Sequence, residues 1–133
     1  MNKSMEIGTR QQMIMNCIWK RGGQATTQDI MKDLERIYGD TLSNQGINTI
    51  VDLLLKKGLV RRSGKSGRFR IYKATVTEEE FQKREMKRFV GLTFHNSAYN
   101  LTTALIDSEL SEEEIEALRK KIEERRHHEQ DGL

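Results

Sequence analysis

The side chains of this 133-residue chain that are best suited to chemistry are hydrogen-bonding and cationic rather than nucleophilic. Gln45, Asn48, Thr49 and Asp52 recur at spacings of three and four, so on a helix they share one polar face. An amide on such a face can pair bidentately with adenine, and a carboxylate can accept from the amino group of cytosine. Just downstream, Arg61, Arg62, Lys65, Arg68, Arg70 and Lys73 put 6 cations and no acid into residues 61–73. That density repels itself unless it meets an anion or stays well solvated, and a phosphate backbone is an economical partner. The division of labour expected is base reading by Gln45, Asn48, Thr49 and Asp52. Backbone contact is expected from Ser43, Asn44, Lys56, Arg61, Arg62, Lys65, Arg68 and Arg70. Each feature alone has a plainer reading, a helix that merely packs and a hairpin that is merely wet. Their adjacency favours double-stranded DNA.

Other chemistry is poorly served. The glutamate runs at 78–80 and 112–114 sit where helices begin, and there the helix dipole accounts for them without a catalytic carboxylate pair. Gly64-Lys65-Ser66-Gly67 lacks the GxxxxGK[ST] spacing of a nucleotide loop. His95 stands alone, and the adjacent His127 and His128 point to different helix faces beside Glu129, a poor chelating set. Cys17, the only cysteine, lies in the apolar MIMNCIW segment, reads most simply as a small core residue, and excludes an intrachain disulfide. No catalytic residue, metal site or cofactor is expected.

The elements that must position the polar face and the cations follow from periodicity. Ile47, Ile50, Val51, Leu54 and Leu55 form the opposite, apolar side of a helix over about Asn44–Lys57, capped by Ser43 and ended by Gly58. After Gly58 the period becomes two, which predicts a basic β-hairpin around a Gly64–Gly67 turn with Lys65 at its tip. Upstream, Met13, Ile14, Cys17 and Ile18 predict a helix over Thr9–Lys20, stopped by Arg21-Gly22-Gly23. Ala25-Thr26-Thr27 offers a brief extended segment and a cap, and Ile30, Met31, Leu34 and Ile37 mark a second helix ending before Gly39. Thr77 with Glu80, and Ser111 with Glu114, have capping-box spacing. They predict helices to about Phe89 and Arg126, with a shorter one between Ser97 and Ile106. The fold class is therefore mainly α with a small β-hairpin: a winged helix-turn-helix over 1–75, then a helical linker and dimerisation domain over 76–133.

Charge divides the same way. Residues 1–75 carry 14 Lys/Arg against 6 Asp/Glu, net +8, while residues 76–133 carry 9 against 14, net −5. A basic front half fits a polyanion, and the acidic back half needs another task. Ile115, Leu118 and Ile122 make a stripe too narrow for a core and suited to helix pairing. With Phe89, Leu92, Leu105 and Leu110 they are the expected surface of a homodimer. No run of about 18 apolar residues is present, and MNKSMEIGTRQQ lacks the apolar stretch of a secretory signal, so a cytoplasmic protein without a membrane partner is expected.

The chain resembles the penicillinase-repressor family of transcriptional regulators, the BlaI/MecI/CopY type. The resemblance runs from Ile7 to Arg126. It rests on Met15-Asn16-Cys17-Ile18-Trp19, on Thr27-Gln28-Asp29-Ile30, and on Ser43 through Leu59 with Thr49, Leu54 and Lys56-Lys57-Gly58-Leu59. Tyr72-Lys73-Ala74 and the Leu110–Leu118 segment complete it. It implies a homodimer whose winged helices bind a palindromic operator and whose C-terminal helices join the subunits. Gly46-Ile47-Asn48-Thr49 stands where relatives often have Thr-Ile-Arg-Thr, and Asp52-Leu53 stands where Thr and Arg are frequent, so the operator need not be the usual one. The Asn-Phe bond cleaved in antibiotic-responsive relatives is missing near Thr103-Ala104, and the RRHHEQDGL ending has no cysteine for the metal sensing of copper-responsive ones. A different class of function, a winged-helix adaptor that binds protein and no specific DNA, stands beside the repressor reading.

Overall fold

The computed structural model describes residues 7–131. Residues 1–6 of the segment read for a secretory signal and the last two of the cysteine-free ending lie outside the described residues. The element order is α1 Thr9–Lys20, β1 Gln24–Thr26, α2 Thr27–Tyr38, α3 Asn44–Lys56, β2 Val60–Ser66, β3 Phe69–Ala74, α4 Glu78–Thr93, α5 Ala98–Ser108 and α6 Glu112–Asp131. This is the helix, helix, turn, helix, hairpin order of a winged helix-turn-helix followed by three more helices.

Local chemistry sets the boundaries. Thr26 caps α2 by accepting from the Asp29 N–H while the Asp29 carboxylate accepts from the Thr26 N–H, a reciprocal pair worth about 1 kcal/mol. Gly39 ends α2 in the left-handed conformation at φ +65°. Thr77 with Glu80 and Ser111 with Glu114 make the same reciprocal caps at the starts of α4 and α6. The helices run past their expected ends, α4 through Gly91 to Thr93 and α6, with no glycine or proline near Arg126 to stop it, to Asp131.

The described chain forms two compact units, residues 1–86 and 87–133. In the first, α1, α2 and α3 pack on a three-stranded antiparallel sheet of order β1-β3-β2. Ile14, Ile18, Ile30, Leu34, Ile47 and Leu54 are fully buried there, with Tyr72 of β3 closing the core from the sheet. Phe81 of α4 belongs to this unit: it is buried with its ring centroid 5.3 Å from that of Trp19, whose indole N–H donates to the Val76 carbonyl. For that reason the units divide within α4, at 86/87, rather than at the 75/76 joint read from sequence. The second unit differs in kind, since none of its described residues is buried.

Candidate nucleic-acid interface

Ser43 starts α3 by accepting from the Gly46 N–H at 3.0 Å, and the buried side chains of Ile47, Val51 and Leu54 fix the helix on the core. Gln45, Thr49, Asp52 and Lys56 are left exposed on its outer face, as their spacing requires. The Thr49 hydroxyl donates back to the Gln45 carbonyl, which leaves its methyl and lone pairs outward. Leu53, 43% exposed beside this stripe, is an apolar group on the same side that periodicity alone did not single out as a surface residue. Asn44 is half-buried, and among the described residues its Oδ1 is the buried side-chain polar atom without a partner.

Asn48 has a different place from the one its spacing predicts. Its Oδ1 accepts from the Thr27 hydroxyl of α2 at 3.0 Å and from the Tyr72 hydroxyl of β3 at 2.9 Å. Thr27 and Tyr72 are both fully buried, so this amide joins α2, α3 and the sheet where they meet. Bidentate pairing with adenine needs the oxygen as well as the amino group, and the oxygen is engaged. Sequence could not anticipate this, because the two hydroxyls come from residues 21 and 24 positions away.

The wing also departs from expectation in detail. The hairpin turn is Gly67-Arg68, not Gly64–Gly67, with Gly67 at φ +60° in the first central position, where a two-residue hairpin readily takes glycine. Lys65 is therefore a strand residue paired with Arg70 rather than the tip. Ser63 is bulged: Arg62 opposes Tyr72 and the next pair is Gly64 with Ile71. Facing residues of an antiparallel pair lie on one side of the sheet, and Tyr72 marks the side toward α3. Arg62, Lys65 and Arg70 consequently lie on that side, while the Arg61–Lys73 pair lies on the other. Without the bulge, Lys65 would fall out of phase with Arg62. Arg68 at the turn stacks over the Phe69 ring, 5.1 Å from its centroid.

One acidic group enters this cationic side. Asp52 Oδ1 of α3 lies 3.6 Å from Arg70 Nη1, which also donates to the Tyr72 hydroxyl at 3.4 Å. These contacts raise the Arg70 pKa above its ordinary value, the Tyr72 hydrogen bond first and Asp52 less. The other two cations of this side, Arg62 and Lys65, are exposed, as are Arg61 and Lys73 on the opposite side and Arg68 at the turn. The arrangement is a polar helix face and a cationic strand face opening side by side, with only one carboxylate between them. It offers hydrogen-bond donors, acceptors and positive charge to a large anion, and no nucleophile with an adjacent base.

The penicillinase repressor family model matches residues 7–124. No curated protein sequence matches the chain. Among solved structures, the DNA-binding domain of the repressor BlaI is 28% identical over 60% of this chain and 93% of its own, with TM-score 0.47. The monomeric form of Bacillus licheniformis BlaI in complex with the blaP half-operator gives 28%, the same coverage and 0.46. The RosR–S4 complex of H. salinarum is 17% identical over 96% of both chains, with TM-score 0.52, a likeness of fold.

Proposed function

The chain belongs to the penicillinase repressor family, a family of DNA-binding transcriptional regulators, and from that premise we propose that it is a homodimeric repressor that binds a palindromic operator. The observation that carries the DNA reading is the shared opening of the α3 polar face and the wing side bearing Arg62, Lys65 and Arg70. Lys65 stands directly across from Arg70, and like charges in that relation destabilise a hairpin. An anion in front of them offsets that cost. Gln45 and Thr49 are placed to meet base edges when α3 enters the major groove, and Asn48 can add only the donor side of its amide. Ser43, Asn44, Lys56 and the wing cations, including Arg61 and Arg68 at its margin, serve the phosphates.

Dimerisation is supported by the second unit's lack of any buried described side chain. Phe89, Leu92, Leu105 and Ile122 are 46%, 72%, 40% and 48% exposed, and Leu110, Ile115 and Leu118 are half-buried. A unit made of the end of α4 with α5 and α6 that buries no described side chain fully does not offset its own ordering entropy, and a second copy completes the core. Two winged helices then read two half-sites.

The test is duplex binding as salt is raised. A phosphate-gripping wing predicts a log affinity that falls by about 0.9 per contact per log unit of salt. Absence of duplex affinity even at low salt would favour the protein-binding adaptor instead.

A further inference from the structure

Resting on the DNA reading, we infer that Arg70 is a guanine-selecting side chain of the wing and that Asp52 and Tyr72 are its positioning residues. Arg70 belongs by residue type to the phosphate-gripping cations, and Asp52 by spacing to the base readers. The geometry exchanges these roles. Both contacts of Arg70 go to one terminal nitrogen, Nη1, which meets the Tyr72 hydroxyl and the Asp52 carboxylate. Among the described residues, Nε and Nη2 have no hydrogen-bond partner, so the edge of the guanidinium that forms a two-pronged donor is left open. That edge matches the O6 and N7 acceptors of guanine in the major groove.

The tether also sets direction. Arg70 shares the α3-facing side of β3 with Tyr72, and the cross-strand Lys65 repels it away from β2. Asp52 lies on α3 one turn beyond Asn48 and next to the exposed stripe of Gln45 and Thr49. The guanidinium is thus drawn to the helix that reads bases and away from the outer margin of the wing. A pair 3.6 Å apart with side chains 33% and 53% exposed adds little to stability, so its consequence is orientation. Holding an arginine in place before binding removes part of the ordering cost of the contact, which sharpens discrimination more than it raises general affinity. An untethered carboxylate at this position would mainly repel phosphate.

The experiment uses the full chain and the duplex it enriches from a random pool. Affinities are measured for duplexes in which each base pair of one half-site is replaced in turn, with the unmodified protein, Arg70→Lys, Asp52→Ala, Asp52→Asn and the Arg70→Lys/Asp52→Ala double variant. One G·C position should show roughly 5- to 150-fold discrimination in the unmodified protein. Arg70→Lys should flatten that position and leave the others unchanged. Asp52→Ala and Asp52→Asn should flatten the same position in part, and Asp52→Ala should add nothing in the Arg70→Lys background. A uniform loss on all duplexes with Arg70→Lys would make Arg70 a phosphate contact and overturn the inference. So would a change at a different position with Asp52→Ala, which would make Asp52 a reader in its own right. If the unmodified protein enriches no sequence at all, the DNA reading falls first, and this one with it.

Discussion

Polar residues of this chain are informative where they are buried. Asn48 looks like a base reader by type and spacing, yet its oxygen holds the hydroxyls of Thr27 and Tyr72 inside the first unit. Asn48→Ala should therefore lower unfolding stability by about 1–3 kcal/mol, because two buried hydroxyls lose their acceptor. Urea denaturation measures this, and an unchanged midpoint would mean that the hydroxyls find other partners. Asp33 is 2% exposed and accepts from Arg21 Nε at 2.6 Å and from Arg36 Nη2 at 3.2 Å. The Arg21 hydrogen bond outweighs burial and holds its pKa below the ordinary 3.8. A carboxylate lowered on folding contributes stability that is complete above the unfolded value and disappears as pH falls through the folded one. Acid titration of the fold should show a loss of stability below about pH 4 that Asp33→Asn removes; an identical acid profile in that variant would clear Asp33 of the role. Cys17 illustrates what sequence reads well at this scale. Its apolar neighbours mark it as core, and burial pushes its thiol up to about 11. The partners of Asn48 and the Arg21 partner of Asp33 were not legible, since they depend on which distant residues the fold brings together; Arg36 is an i,i+3 neighbour of Asp33 on α2.

Elements were legible wherever a local signal fixes them. The caps of Thr77 and Ser111, the glycine stop after Trp19-Lys20-Arg21, and the apolar face of α3 all rest on residues a few positions apart, and each forms as its spacing requires. The wing was legible as a hairpin but not in register. Gly64 and Gly67 are equally good turn formers by type, and only pairing decides that Gly67 turns while Gly64 extends the strand after the bulge. A break between α4 and α5 was legible, but not where it falls or how the chain turns there. His95 and Asn96 make the turn at φ +50° and +67°, left-handed conformations that glycine takes most often and that Asn and His adopt more readily than other side chains. The register carries a prediction for the wing. Lys65, exposed and on the α3-facing side, should touch phosphate, so Lys65→Ala should weaken binding to all duplexes alike and lower the salt slope by about one. An unaltered slope would take Lys65 off the interface.

At the scale of the molecule, the charge division and the burial division point to two tasks. The first unit has its own core and the cationic surface; the second has apolar side chains that its own residues cover only in part. Among the described residues no helix is long and apolar enough to cross a membrane. Leu118→Asp would put an unpaired charge into the proposed seam of Ile115, Leu118 and Ile122. It should give monomers by sedimentation, with the winged helix still folded by circular dichroism, and a dimer that persists would place the seam elsewhere. Two copies of the chain that present two reader helices to DNA require a symmetric site. The most direct test is selection from a random duplex pool by the full-length protein, followed by sequencing of what is retained. The expected product is an inverted repeat whose half-sites are centred about one helical turn apart, or a multiple of it. Retention of a single unrepeated motif, or of no motif above the starting pool, would contradict it.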